Sequence, residues 1–205
     1  MARRGHFLAF EGGEGTGKST QARLLAEAIG AVLTREPGGT PIGARVREIV
    51  LAADENGLTD RAEALLMAAD RAQHVAEVIA PALDGGRHVV TDRFLGSSVA
   101  YQGFGRGLPV EEVHRLSLWA TSGLEPDLFV LLDVTEAEAR ARIGGGGRDR
   151  LEKAGDAFHE AVAQGFRDLA HADPDHWATF DGGGTVAEVE ARVRAIIADR
   201  LALPE

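Results

Sequence analysis

Short, nearly continuous apolar runs alternate along this chain with longer stretches in which apolar residues return every three or four positions. The short runs read as strands: His6–Glu11, Ala31–Arg35, Arg87–Asp92, Asp127–Asp133 and Trp177–Asp181. Several, such as Val130-Leu131-Leu132 and Val89-Val90, lack the polar alternation of a half-exposed sheet. Continuous apolarity is what a parallel strand covered on both faces requires. Helical periodicity marks Ser19–Ile29, Ile42–Ala52, Arg61–Leu83, Val110–Ser122, Glu136–Ile143, Asp156–Ala172 and Val186–Leu203. Asp60 and Thr135 stand where N-caps belong, and Gly30 where a helix ends on glycine. Strand–helix alternation of this kind predicts an α/β fold of three layers, a five-stranded parallel sheet flanked by helices. The chain has no internal repeat, and its one low-complexity piece, Gly144-Gly145-Gly146-Gly147, predicts a flexible hinge between charged segments.

The first predicted strand runs into Gly12-Gly13-Glu14-Gly15-Thr16-Gly17-Lys18-Ser19-Thr20 and then a helix. This fits G-x-x-x-x-G-K-[ST] in the strand–loop–helix setting that a phosphate-binding loop needs. Glycines let successive backbone N–H groups curl around phosphate oxygens, and the helix N-terminus adds its positive dipole end. Lys18 would reach the β- and γ-phosphates of a bound nucleotide, and the Ser19 hydroxyl would ligate Mg²⁺. Lys18 is one of only two lysines, beside Lys153, in a chain whose other basic residues are arginines. The third strand ends in Thr91-Asp92-Arg93. A carboxylate there lies at the crevice where open α/β sheets bind ligands, so Asp92 could hold Mg²⁺ and Arg93 a second anion. A plain salt bridge at the strand end is the competing reading of that tripeptide. No N-K-x-D guanine-reading motif occurs.

Length and composition narrow the field. The 205 residues suit one domain spanning 1–205. With 22 Lys+Arg against 32 Asp+Glu the formal net charge is −10, which disfavours a large nucleic-acid footprint but allows a small anionic substrate in a local basic cleft. The absence of cysteine excludes disulfides, Cys-ligated zinc, iron–sulfur clusters and thiol catalysis. The seven histidines are scattered and none pairs with another at ligand spacing. No stretch approaches the roughly 18 apolar residues of a membrane span, and the apolar run after Arg3-Arg4 is too short for a signal peptide, so a cytoplasmic location is expected.

Four further segments follow the loop in order: Glu36-Pro-Gly-Gly-Thr-Pro-Ile-Gly43, Ala69-Asp-Arg-Ala-Gln-His74, Asp92-Arg-Phe94 and Ser97-Ser-Val-Ala-Tyr-Gln-Gly103. Together with the loop they resemble bacterial thymidylate kinases, from about Phe7 to Ala170. The resemblance implies a P-loop nucleotide-kinase fold with a small mobile lid at about 142–156. It also implies transfer of the ATP γ-phosphoryl group to dTMP, giving dTDP on the route to dTTP, and a homodimer. Carried over by position, Glu14 approaches the substrate sugar, Arg47 and Arg93 meet the dTMP phosphate, and Arg71 hydrogen-bonds thymine. Ser98, Tyr101 and Gln102 lie on the helix lining base and sugar, Asp92 is the Mg²⁺-associated aspartate, and Arg142 belongs with the ATP-binding residues.

Two positions depart from the family pattern. Met67 stands where relatives commonly stack a phenylalanine on the base; a thioether can pack on an aromatic ring, so base binding survives but loosens. The phosphate loop offers no arginine at Gly13, Glu14, Gly15 or Thr16, so an arginine for the transferring phosphoryl group must come from the lid, where Arg148 and Arg150 follow the glycine run and Arg142 precedes it. A phosphate acceptor is already largely dianionic near neutral pH and needs no general base. Charge neutralisation and in-line positioning then carry the chemistry. Another nucleotide or nucleoside kinase, a non-catalytic ATP-binding switch, and a nucleic-acid-dependent ATPase are the rival functions.

Overall fold

The computed structural model describes residues 4–52, 57–142, 150, 151, 153–201 and 203. The chain runs β1 (Phe7–Glu11), α1 (Lys18–Ile29), β2 (Val32–Arg35), α2 (Pro41–Leu51) and α3 (Asp60–His74), which continues through a π-helical turn (Val75–Ile79) into α4 (Ala80–Asp84). Then come β3 (Val89–Asp92), α5 (Leu95–Ser98) with its π-helical continuation (Val99–Gly105), α6 (Val110–Ala120), β4 (Leu128–Asp133), α7 (Glu136–Arg142), α8 (Asp156–Ala172), β5 (Trp177–Asp181) and α9 (Val186–Leu201). The strands pair in parallel in the order β2-β3-β1-β4-β5. The sheet grows to one side of β1 and then to the other, so the carboxyl end of β1 opens at the switch point where such sheets bind ligands.

The strands are apolar at nearly every position because each serves two cores. Phe7 and Ala9 of β1, with Phe129 and Leu131 of β4, enter one core; Leu8, Phe10, Leu128, Val130 and Leu132 enter the other. Successive strand side chains point to opposite faces, so this division follows from the period of two. Ile79, Leu95, Phe158 and Phe166 cover the first face, while Leu25 of α1 and Val193 and Ile197 of α9 cover the second. Among the described residues no helix is long and apolar enough to cross a membrane.

The predicted sheet is the observed one, with shifts at the edges that have local causes. β4 starts at Leu128, not Asp127: Asp127 still donates its N–H to Phe7 O at 2.7 Å, but the Phe7 N–H goes to the Asp127 carboxylate, also at 2.7 Å. The third helix begins at Asp60, and its cap is Thr59, whose hydroxyl accepts the Ala62 N–H; Asp60 is its first turn, not its cap. Thr135 and Gly30 do cap as expected. The single helix expected over Arg61–Leu83 contains the π turn because Pro81 has no N–H and its ring crowds the preceding turn; Ala80 N–H bonds Val75 O, five residues back. The helix expected to reach Ser122 stops at Ala120, with Ser122 in the left-handed region at φ 54°, and the last helix stops at Leu201. Periodicity gave no helix over Leu95–Gly105, since a Gly/Ser-rich helix buried on nearly all sides shows no polar face. Gly144–Gly147 and Arg148, with most of the expected lid, lie outside the described residues.

The buried Glu11 fixes α5 on the sheet. Its carboxylate accepts the Phe94 and Ser97 N–H groups at 3.1 and 3.0 Å and the Ser97 hydroxyl, which satisfies donors that a helix start otherwise leaves unpaired. Gly96 is what permits this approach: a Cβ there would lie 2.8 Å from Glu11 Oε1 and 2.8 Å from the Trp177 ring. Gly96→Ala is expected to destabilise the fold by about 1–3 kcal/mol. A Cβ on Gly13 meets nothing within 4 Å, so Gly13→Ala should stay within about 0.5 kcal/mol of wild type. Urea unfolding of the two variants checks the contrast.

Candidate active site

Between β1 and α1 the loop wraps tightly. Gly12 (φ 137°) and Gly15 (φ 74°) adopt backbone angles that side chains disfavour, and a Cβ at Gly15 would sit 2.4 Å from Ala139 O of α7. Gly17, also left-handed, starts α1 without a side-chain cap, so the first N–H groups of the helix face the loop. The Lys18 ammonium is buried and donates to Gly13 O at 2.9 Å. Burial and the nearby Arg93 push its pKa down, against the opposite pull of Glu14, Asp92 and Glu11.

Arg93 faces this loop from the end of β3. Its guanidinium donates to Gly12 O and Ser97 Oγ at 3.0 Å each, to the Tyr101 hydroxyl at 3.1 Å and to the Glu14 carboxylate, and lies 4.9 Å from the Tyr101 ring centroid. Burial opposes its charge, but Tyr101 and the carboxylates of Glu14, Asp92 and Glu11 outweigh it and raise its pKa. Burial likewise pushes the Tyr101 phenol up to about 12, so it stays protonated. Glu14 is held down at about 2, first by Arg93, with Lys18 and Arg47 assisting against burial. Three cations thus converge on one small carboxylate, an arrangement that suits phosphate groups. Arg47 of α2 reaches this region while donating to Pro37 O at 3.1 Å.

The neighbouring wall is built from α3 and the helix after β3. Arg71 is fully buried, donating to Glu36 (2.8 Å), Ser117 (3.1 Å), Phe94 O (3.0 Å) and Ser98 Oγ (3.0 Å). That engages four of its five N–H groups. Glu36 also meets His74, whose other ring nitrogen contacts Thr34. Met67 is buried beside Val46 and Val50 of α2. Gln102 donates to Glu63 at 2.7 Å and keeps its own Oε1 buried and unpartnered.

On the other side of Lys18 lies an open cleft of about 460 Å³, lined by Glu14 to Gln21, Arg142, Gly182, Gly184, Val186 and Val189. Arg142 donates to Gly182 O at 3.0 Å and to Thr16 O. Glu14, Lys18, Arg47, Asp92, Arg93 and Tyr101 therefore meet at the loop and Arg142 lines the cleft beside it, while Arg71 adjoins Ser98, Met67 packs on α2 and Gln102 on Glu63. Arg148 is outside the described residues, and Arg150 is bound to Glu63 and Val50 O, not to the cleft lining. Sequence reasoning missed Glu11, Glu36, Glu63 and the Gly182–Gly184 turn. Glu36 opens the Glu-Pro-Gly-Gly segment and Glu63 lies one turn before Met67, so their positions were visible while their partners were not.

A glycine-rich phosphate loop at the switch point of a β2-β3-β1-β4-β5 parallel sheet, with a cationic cluster facing it, defines a P-loop nucleotide kinase. The thymidylate kinase family model matches residues 10–193, and the chain belongs to that family. It is 48% identical to the thymidylate kinase of Cutibacterium acnes, over 93% of this chain and 95% of that one. Identity to the thymidylate kinase of Leifsonia xyli subsp. xyli is 49%, over 97% of each chain. The crystal structure of thymidylate kinase from Ehrlichia chaffeensis superposes with a TM-score of 0.77 at 30% identity, covering 95% of this chain and 99% of that one.

The Glu14–Arg93 pair has a pH signature. Glu14 has a folded-state pKa of about 2 against an ordinary 4.5, so its contribution to stability is complete above about pH 4.5 and is lost as pH falls through about 2. Between pH 5 and 2.5 the wild type should therefore lose more stability than Glu14→Gln. Parallel urea titrations with equal losses in both proteins would contradict the pairing.

Proposed function

We propose that this chain transfers the γ-phosphoryl group of ATP to the phosphate of dTMP, giving ADP and dTDP for dTTP synthesis. One observation carries the reading: Lys18 of the phosphate loop and the Arg93, Arg47 and Glu14 cluster meet at the carboxyl end of β1 and β3, beside an open cleft that the loop itself lines. ATP belongs in the cleft of Gly12 to Thr20 and Arg142. The acceptor belongs against Arg47, Met67, Arg71, Ser98, Tyr101 and Gln102, with its phosphate at Arg93.

In that arrangement Lys18 neutralises the β- and γ-phosphates, and Arg93 with Arg47 draws the acceptor phosphate toward the γ-phosphorus. The acceptor oxygen attacks as ADP leaves, and no proton has to be removed first. Glu14 keeps the arginines aligned and lies toward the sugar, while Tyr101 crowds the 2′ position and favours deoxyribose. Arg142 is the arginine lining the donor cleft among the described residues, where it donates to Thr16 O, and Arg148 keeps the role on the transferring group expected of the lid. The residues also fit Mg²⁺: Asp92 Oδ1 is buried with no hydrogen-bond partner, and Ser19 follows the loop lysine. No cluster of three acidic or histidine ligands occurs among the described residues, as suits an ion held largely by phosphates and water. When bound, the ion would screen the charge of the donor phosphates.

A homodimer is part of this reading. It rests on the family to which the chain belongs, and Leu65 of α3 and Trp119 of α6, 58% and 81% exposed, are the first residues to test as part of its interface. An acceptor panel of dTMP, dUMP, dGMP, AMP and thymidine with ATP, read as ADP release, tests the assignment. Turnover should be fastest with dTMP and absent with thymidine, which brings no anionic acceptor oxygen to Arg93 and Arg47. Faster turnover with AMP, dGMP or thymidine would refute it.

A further inference from the structure

Glu63 is a fully buried carboxylate at which three segments of the chain meet. Gln102, from the helix after β3, donates to Oε1 at 2.7 Å; Arg106 donates to Oε2 at 3.1 Å, with Asp60 also within 3.6 Å of its guanidinium. Arg150, between α7 and α8, donates to the same Oε2 and, through Nε, to Val50 O at 3.1 Å in the last turn of α2. Arg106 also lies 4.6 Å from the Phe158 ring centroid of α8.

Two consequences follow from donor and acceptor chemistry alone. A carboxylate is acceptor-only, so Gln102 must turn its NH₂ toward Glu63 and its carbonyl oxygen away. That oxygen is the buried atom left without a partner, and it can accept a hydrogen bond from a donor on the acceptor nucleotide. Secondly, Arg150 spends its guanidinium on Glu63 and on a carbonyl of the helix that carries Arg47, with its side chain only 15% exposed.

We propose that Glu63 is a positioning residue for the acceptor nucleotide, fixing the Gln102 amide, and that Arg150 is the anchor holding the segment before α8 onto this acceptor-side wall. Arg150 is then not the arginine on the transferring phosphoryl group. The inference rests on the reading of α3 and the helix after β3 as the dTMP side. Glu63 keeps Arg106 and Gln102 if Arg150 is removed, so Arg150→Ala leaves no orphaned buried carboxylate and should fold.

The test uses Glu63→Gln, Arg150→Ala, Arg150→Lys and the Glu63→Gln/Arg150→Ala double variant. Calorimetric dTMP binding without ATP is measured beside steady-state kinetics. Loss of a charge-assisted positioning bond should weaken dTMP about five- to tenfold in Glu63→Gln and Arg150→Ala, with kcat and the ATP KM within about threefold of wild type. The double variant should be no weaker than Glu63→Gln alone, since both changes remove one contact, and Arg150→Lys should recover most of the affinity. A tenfold fall in kcat for Arg150→Ala with unchanged dTMP affinity would overturn the proposal and return Arg150 to the phosphoryl group. Unchanged dTMP affinity in every variant, or additive losses in the double variant, would also overturn it. If Glu63→Gln does not fold, the two Arg150 variants decide alone. Failure of the acceptor assignment itself would show differently, as absence of dTMP binding by the wild-type protein.

Discussion

Everything on the acceptor side hangs on the guanidinium of Arg93. It joins the phosphate loop, through Gly12 O and Glu14, to the helix after β3, through Ser97 and Tyr101. Loop and helix spring from β1 and β3, which are hydrogen-bonded neighbours, so a single side chain can span both. Holding it there is costly: Arg93 is non-glycine at φ 73°, a conformation that costs on the order of 1–3 kcal/mol, and its charge is largely removed from water. Such strain persists only where surroundings over-determine it, and here four hydrogen bonds and an aromatic ring do so. A cation already desolvated and aimed needs little reorganisation when charge develops nearby.

Buried carboxylates supply the rest of the rigidity. Glu11 collects the N–H groups that start α5, Glu36 holds Arg71 and His74, and Glu63 holds Gln102, Arg106 and Arg150. Each sits where one helix must be fixed against another or against the sheet. Burial pushes Glu11 up to about 7 even with these donors. A chain of net charge −10 can therefore present a cationic centre, because part of its negative charge is turned inward to hold arginines.

The sheet and the phosphate loop were legible because their signals are local. Apolar runs such as Val130-Leu131-Leu132 report burial on two faces, and the loop's glycines and Lys18 are contiguous. The helix over Leu95–Gly105 was not legible from periodicity, since its surroundings and not its own pattern make it a helix; only family resemblance pointed there. The carboxylate sockets escaped for another reason. Glu36 to Arg71 and Glu63 to Gln102 are pairs separated by 35 and 39 positions, and no spacing rule connects them. Arg150 shows the same limit: no spacing rule connects it to Glu63 or to the end of α2, where its partners lie.

The central claim is that the Arg93 fork, and not merely a positive charge, assembles the acceptor site. Arg93→Lys tests it most directly, because lysine keeps the charge but cannot bridge Gly12, Ser97, Glu14 and Tyr101 at once. Steady-state kinetics on the folded variant should show kcat/KM for dTMP reduced about 100-fold or more, with the ATP KM within about threefold of wild type. A kcat/KM for dTMP within about threefold of wild type would contradict the account.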